Sequence, residues 1–209
     1  AGDCVDLNTE HPDVAEYLRQ AYYKYIDMGV DGFRIDTVRH ISRLSLNKNF
    51  VPQFRERGGE NFFMFGEVCT RFQGTVWYRN HPPASTPFYT WLESAYPETY
   101  NWGNSWEENL AAAEQHWDDN DGVDYSREPS TQNAHLIGPN NNEYHEPDWT
   151  HRSMSAIDFQ MHYNFNNAGS AFAYHDEDNY YNDATFNVVY VESHDYSPGP
   201  NDKQAFNSG

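Results

Sequence analysis

A strongly amphipathic helix, followed at once by a short apolar strand that ends in an acid, is the feature that most constrains this fold. Residues 13–28 carry apolar side chains at helical spacing, and a strand predicted over 30–36 follows directly. Side chains alternate along a strand, so Arg34 and Asp36 point to the same side, where a guanidinium keeps a carboxylate ionised and oriented. Taken alone, this stretch fits a carboxylate nucleophile and a buried structural ion pair equally well.

The same order of elements recurs along the chain. A second helical region within 38–57, interrupted near Pro52, leads to a strand over 62–68 that again ends in an acid, Glu67. This strand is apolar throughout, which predicts a parallel strand covered on both faces. The last predicted elements are a strand, a helix and a strand, over 155–161, 164–175 and 186–191.

These elements predict an α/β fold, a partial (β/α)8 TIM barrel. Acids follow three of the predicted strands, and the C-terminal ends of the strands form the face of such a barrel that carries the chemistry. Four strands cannot close a barrel, and a whole one needs about 250 residues, more than the 209 present. We therefore expect half a barrel, with about four βα units.

The stretch 70–152 breaks this alternation. It holds all six tryptophans, is rich in Asn, Asp, Pro and Gly, and contains one predicted helix around 105–117. We interpret it as an inserted subdomain between barrel units at 1–69 and 153–209. Its aromatic side chains fit either stacking platforms for sugar rings or a small core of the insertion, and the core is the more common use.

The net charge narrows the range of partners. With 32 acids against 13 bases the chain carries −19, a charge that repels nucleic acid and anionic membranes. No apolar run is long enough for membrane insertion. The charge suits a neutral substrate or a bound cation such as calcium. Cys4 and Cys69 are too few for a disulfide framework, and the sequence leaves open whether they pair.

Three carboxylates are the candidate catalytic groups: Asp36, Glu67 and Asp195. Retaining glycoside hydrolysis needs two carboxyl groups about 5–5.5 Å apart, one ionised and one protonated. Arg34 would keep Asp36 charged, while the apolar strand before Glu67 would favour its neutral form. His194 adds a hydrogen-bond donor beside the third acid.

Three segments of this sequence resemble signature segments of the α-amylase family of glycoside hydrolases. They occur in the family's order, at what would be its barrel strands four, five and seven. The segments are Gly32-Phe33-Arg34-Ile35-Asp36-Thr37-Val38-Arg39-His40, Phe65-Gly66-Glu67-Val68 and Val191-Glu192-Ser193-His194-Asp195. Asp6-Leu7-Asn8 resembles a fourth short segment, and Asp158-Phe159 fits strand six. The resemblance covers 3–69 and 153–195.

The resemblance implies a role for each matching residue. Asp36 would be the nucleophile, Glu67 the general acid and base, and Asp195, with His194, the stabiliser of the transition state. Arg34 would orient the nucleophile, and Arg39 and His40 would line the leaving-group side. These substrate-binding and catalytic positions are Asp36, Glu67, Asp195, Arg34, Arg39, His40 and His194.

The resemblance also implies a calcium ion, a substrate and a location. Many members bind a structural calcium with the acid of the Asp-Leu-Asn segment and a His backbone carbonyl, which makes Asp6 and His40 metal candidates. Asp6 fits a simple helix-entry acid equally well. Thr37 with Arg39 and His40 resembles members that cleave α-1,4 bonds, so an α-glucan is the expected substrate. Because polymeric starch cannot cross a membrane, we expect an extracellular enzyme.

Several parts of the family pattern are absent from this sequence. The family's first signature segment and strands one to three and eight are missing, so the missing barrel strands are expected from the rest of a parent chain. We expect these 209 residues alone to hydrolyse starch poorly or not at all.

Other functions stay open at this point. A glucanotransferase of the same family would use the same three acids, and a non-catalytic starch-binding fragment is a further alternative. An enolase-like metal enzyme would need a ligand on the strand after Glu67, where Met161 and His162 stand instead, and Arg34 would repel the metal.

Overall fold

The structure is a computed structural model that describes residues 5–68, 89–90, 100–103, 105–120, 153–157 and 187–188. The predicted helix over 164–175, the ends of the last two predicted strands, both cysteines and the pair His194-Asp195 lie outside these residues.

The first helix, α1, runs from Pro12 to Asp27 and confirms the predicted helix to within one residue at each end. Pro12 suits the first turn because its missing N–H would have no partner there. The side chain of His11 accepts a hydrogen bond from the Asp13 backbone N–H (3.2 Å), which caps the helix. The chain leaves the helix through Gly29, whose φ of 95° favours glycine.

Four parallel strands form one sheet in chain order, which confirms the predicted parallel α/β arrangement for the described residues. The strands are β1 (Gly32–Ile35), β2 (Phe63–Gly66), β3 (Ser155–Ile157) and β4 (Asn187–Val188). The register pairs Gly32 with Phe63 and Ile35 with Gly66. The residues that follow Ile35 and Gly66 therefore leave neighbouring strands at the same edge of the sheet.

Helical segments connect the first two strands. A 3-10 turn (Val38–His40) is followed by α2 (Arg43–Ser45), a π-helical turn (Leu46–Phe50) and α3 (Val51–Gly58). The predicted interruption near Pro52 is this wide turn, because proline has no N–H to give to the carbonyl four residues earlier. The Gln53 side chain donates to that carbonyl, on Lys48, at 2.8 Å.

One face of the sheet packs against α1 and α3. On β1, the Phe33 ring lies edge-to-face against Phe54 of α3 (centroids 5.3 Å apart) and against Phe62 (5.0 Å). Phe62 and Met64 are buried in the same core.

The other face of β2 carries Phe63, which is 47% exposed. The strand was predicted to be covered on both faces. Within the described residues it is covered on one, because both helices that reach it lie on the same side.

Described parts of the stretch 70–152 contact the elements before it. The helix α4 (Trp106–Asn120) confirms the predicted helix around 105–117, and its Asn109 is fully buried. The Asn109 side chain donates to the Glu10 carbonyl and accepts from the Gly103 N–H, both at 2.7 Å. Tyr89 joins the core formed by α1, α3 and β2. Whether 70–152 folds as a separate subdomain stays a prediction.

No helix in the described ranges is long and apolar enough to cross a membrane.

Gly66, the last residue of β2, lets another residue approach the strand closely. A Cβ at this position would lie 2.6 Å from Cγ2 of Val38 and 2.9 Å from Sδ of Met154. Val38 is fully buried in the turn that follows β1. The absence of a side chain at Gly66 therefore makes room for the turn that holds Asp36 and Thr37.

We predict that Gly66→Ala lowers the free energy of unfolding by about 1–3 kcal/mol, since the new methyl group overpacks this contact. Gly66→Ala should cost less in a Val38→Ala background than in the parent, because that background lacks the closest clashing atom, Cγ2 of Val38, and retains only Sδ of Met154. Urea unfolding of the two single variants and the double variant measures the coupling. Strictly additive losses would contradict the proposed contact.

Candidate active site

Two acids leave neighbouring strands at one edge of the sheet. Asp36 follows β1, Glu67 follows β2, and the last residues of the two strands, Ile35 and Gly66, are register partners. The Glu67 backbone N–H donates to the Ile35 carbonyl (2.8 Å), so the pairing continues past the end of β2. Sequence reasoning expected these two acids to meet, and the structure brings them together.

One guanidinium bridges both acids. Arg34 Nη1 donates to Asp36 Oδ1 at 2.5 Å, and Arg34 Nη2 donates to Glu67 Oε2 at 3.1 Å. Charge-assisted hydrogen bonds of this kind fix orientation as well as charge. The bond to Asp36 was expected from the sequence, while the bond to Glu67 was not. The register of β1 and β2 would predict the bond to Glu67. Arg34 pairs with Phe65, and the side chains of Phe65 and Glu67 lie on the same face of the strand.

The two carboxyl groups stand in different surroundings. The side chain of Asp36 is 63% exposed and that of Glu67 only 15%. Burial raises the pKa of Glu67, a hydrogen bond with the Asp36 carboxyl raises it further, and the Thr37 backbone and Arg34 oppose the shift. Because the net shift of the pKa is upward, Glu67 holds its proton better than an ordinary glutamate does, as a general acid must.

Thr37, between the acid of β1 and the buried Val38, adopts a left-handed backbone with φ 45° and ψ 44°. Its hydrogen bond to Glu67 is part of the site. Sequence reasoning singled out this residue only for its bearing on linkage. No side-chain pattern in the sequence marks the conformation, because a β-branched residue rarely adopts it.

Arg39 and His40 lie in the 3-10 turn (Val38–His40) that follows Asp36 along the chain. The positive charge of Arg39 acts on Tyr89, whose pKa burial raises to about 12. His40 is exposed, and its backbone N–H donates to the Thr37 carbonyl (2.8 Å). The structure therefore places both residues in the turn that follows Asp36, and this backbone hydrogen bond lies within that turn.

The third acid, Asp195, and its neighbour His194 lie outside the described residues, so their positions in the site stay predictions.

The predicted calcium ligands are Asp6 and His40, and both residues are exposed. Within residues 5–68 and the shorter described ranges, no group of three or more His, Cys, Asp or Glu side chains could hold a metal ion. One carboxylate and one backbone carbonyl are fewer than the six to eight oxygens that calcium takes. The calcium ion and its two expected ligands therefore stay predictions.

Comparison with known proteins agrees with the resemblance to the α-amylase family. The family described as "Alpha amylase, catalytic domain" matches residues 2–198 of the chain. An α-amylase of Streptomyces lividans is 38% identical over 72 residues, which are 30% of this chain and 7% of that protein. A cyclomaltodextrin glucanotransferase of Geobacillus stearothermophilus is 46% identical over 72 residues, which are 32% of this chain and 10% of that protein.

A third relative is a glucan 1,4-α-maltohexaosidase of a Bacillus species, 33% identical over 72 residues, 34% of this chain and 14% of that protein. The matched part of the chain thus spans at most 14% of the length of these three relatives.

We predict a pH-dependent stability difference between the protein and its Glu67→Gln variant. The unfolded chain ionises Glu67 near 4.5, whereas the folded protein resists ionisation until the pH reaches the raised pKa. The stability that Glu67 contributes is therefore fully present below pH 4.5 and declines as pH rises through the raised pKa. The Gln variant, which cannot ionise, should gain stability relative to the parent over this window.

Urea unfolding of both proteins between about pH 4 and pH 8 measures this difference. The range covers the ordinary pKa of a glutamate and a raised one. Glu60→Gln, in the exposed turn before β2, is the matched control. A difference for Glu67→Gln that stays constant with pH, or that favours the parent at higher pH, would contradict the assignment.

Proposed function

The chain belongs to the α-amylase family, and from that premise we propose that it carries part of the active site of a retaining hydrolase of α-1,4-glucans such as starch and maltodextrin. The observation that supports this most directly is the bridge from Arg34 to both Asp36 and Glu67. It joins an exposed acid to a mostly buried acid whose pKa is raised. Retaining glycosidases need such a pair, with one carboxylate to attack and one carboxylic acid to give a proton.

In the proposed reaction Glu67 protonates the glycosidic oxygen while the Asp36 carboxylate attacks the anomeric carbon. The bond to the leaving sugar breaks, and a covalent glycosyl-enzyme forms on Asp36. Glu67, now ionised, takes a proton from water, which attacks the same carbon and releases Asp36. Arg34 donates to both acids, so it holds them in place through both steps.

The remaining family positions complete the proposal. Asp195 and His194 would bind hydroxyl groups of the sugar whose bond breaks, and Arg39 and His40 would contact the leaving-group side. Calcium would be held by Asp6, the His40 carbonyl and further oxygens from elsewhere, and no step of the reaction uses it. Export to the cell exterior would bring the enzyme to a polymer that cannot enter a cell.

The missing barrel strands are also part of the proposal. The described sheet has four strands, too few to close a barrel, and the chain matches only short parts of its relatives. A longer protein would supply the other strands and the rest of the sugar subsite.

We predict that Asp36→Asn and Glu67→Gln, made in the full-length protein that carries this chain, each lower kcat on soluble starch by about a thousandfold. Asp31→Asn and Glu60→Gln are the controls, since both acids are exposed and lie outside the bridge. Reducing-sugar release measures the rates.

Substrates with a good leaving group separate the two roles. On an α-glucosyl or α-maltosyl fluoride, whose fluoride needs little proton donation to leave, Glu67→Gln should keep much of the rate of glycosyl-enzyme formation, measured as fluoride released in the first turnover, and Asp36→Asn should not. The second step still needs Glu67 as the base that activates water, so the steady-state rate of Glu67→Gln should stay low. Wild-type rates on starch for either variant would contradict the proposed function.

We also predict that the 209-residue chain alone releases little or no reducing sugar from starch, whereas the full-length protein does. The reason is that strands and sugar-binding residues beyond this chain complete the cleavage subsite. Equal turnover by the two proteins would overturn the view that the chain is part of a larger site. Binding of amylose by the short chain without turnover would favour a starch-binding role for it.

A glucanotransferase is the second candidate, because a cyclomaltodextrin glucanotransferase is among the similar proteins, at 46% identity. The same acids serve both reactions, and they differ in whether water or another sugar takes the glycosyl group from Asp36. The products from maltoheptaose decide between them: short linear sugars indicate hydrolysis, and cyclic or longer sugars indicate transfer.

A further inference from the structure

Thr37 has an unfavourable backbone conformation right beside the two acids. Its φ of 45° and ψ of 44° lie in the left-handed region, and it is the only non-glycine residue with positive φ in the described part of the chain. A β-branched residue is a genuine outlier there. Such strain persists only where the residues around it leave the chain no alternative.

Anchored residues on both sides hold Thr37 in this conformation. Upstream, the carbonyl of Ile35 accepts the Glu67 backbone N–H at 2.8 Å, as part of the pairing of β1 with β2. Downstream, Val38 is fully buried against Gly66, and its N–H donates to the Glu67 carbonyl at 3.0 Å. Only Asp36 and Thr37 span the distance between the two anchors, so a sharp turn is required.

The same turn contacts Glu67 at its backbone N–H, its carbonyl and its side chain. Ile35 and Val38 hold the peptide groups of Glu67, and the Thr37 backbone hydrogen bonds to its carboxyl group. Arg34 reaches the same carboxyl group from the strand at 3.1 Å. The Thr37 side chain makes no capping hydrogen bond and is exposed, so the backbone and not the hydroxyl forms these contacts.

We propose that Thr37 is a positioning residue for the acid pair, and that its left-handed backbone sets the placement of Glu67 relative to Asp36. The proposal rests on the function proposed above for those two acids. Thr37 is the residue that links Asp36 covalently to Val38, whose N–H donates to the Glu67 carbonyl. The backbone conformation of Thr37 therefore affects the distance between the carboxyl groups of Asp36 and Glu67.

The test compares two substitutions in the full-length protein. Thr37→Gly removes the Cβ that restricts the backbone and allows the turn to sample other conformations. Thr37→Asn keeps a side chain that tolerates the left-handed region while it removes the threonine hydroxyl. We expect kcat to fall about tenfold for Thr37→Gly with KM within about twofold, and Thr37→Asn to restore most of the rate.

Two further readouts separate positioning from simple stability. The alkaline limb of the pH profile of kcat/KM should move to higher pH in Thr37→Gly, because a looser turn donates less well to the Glu67 carboxylate. The Tm of Thr37→Gly should equal or exceed that of the parent, since the left-handed strain is relieved. A lower rate together with an unchanged or higher Tm cannot come from partial unfolding.

Three results would overturn the proposal. These are a wild-type rate and pH profile for Thr37→Gly, an equal loss of rate in Thr37→Asn, which would assign the role to the hydroxyl, and a fall in Tm that parallels the fall in kcat. Glu67→Gln in the same protein keeps the two proposals apart. If that variant is inactive while Thr37→Gly behaves as the parent, only the role of Thr37 fails; if it is fully active, the proposed function fails.

Discussion

The parallel pairing of β1 with β2, in the register that places Ile35 opposite Gly66, determines both the core and the placement of the two acids. It puts Phe33 and Met64 on the face that packs against the helices and Arg34 on the opposite face. A slip by one residue would turn the guanidinium into the aromatic core and Phe33 out of it, at a cost of several kcal/mol in lost burial and an unpaired charge. Packing of the core therefore also fixes the position of the acids.

At the end of β2, the residues that pack the core also position the acid Glu67. Gly66 has no side chain, so Val38 can fill the space over its Cα, and that contact brings the Val38 N–H to the carbonyl of Glu67. The resulting turn is too tight for ordinary backbone angles, and Thr37 carries the strain. Strain at this position has a physical origin in the core below it, which explains why the site keeps an unfavourable residue conformation.

Much of this arrangement could be predicted from the sequence because it follows from periodicity. The helix α1, both strands that end in acids and α4 each have a long or strongly patterned signal, and their existence does not depend on distant contacts. The ion pair between Arg34 and Asp36 could be predicted from the alternation of side chains along a single strand.

The features that sequence reasoning missed all depend on contacts between segments. The bond from Arg34 to Glu67 requires the register of two strands, and the conformation of Thr37 requires the contact between Val38 and Gly66. The expectation that β2 is covered on both faces came from its continuous apolar run, whereas the described residues supply helices on one side only, leaving Phe63 exposed. Composition and local pattern contain none of this information.

The helix α4 shows a different kind of specificity, because polar side chains hold it in place. Asn109 uses both ends of its amide, and Arg43 of α2 donates from Nε to Nε2 of His116 on α4 at 3.1 Å, with both side chains buried. Buried polar pairs add little net stability, yet each is costly to break, so they favour one position of α4 over all others.

Because the chain runs from the turn at Asp36 and Thr37 through the 3-10 turn Val38–His40 into α2, the contacts between α2 and α4 restrain the chain that leaves this turn. The core below Gly66 and the polar contacts of α4 thus restrain the acid-bearing turn from its two sides. For this reason we regard α4 as part of the support of the site.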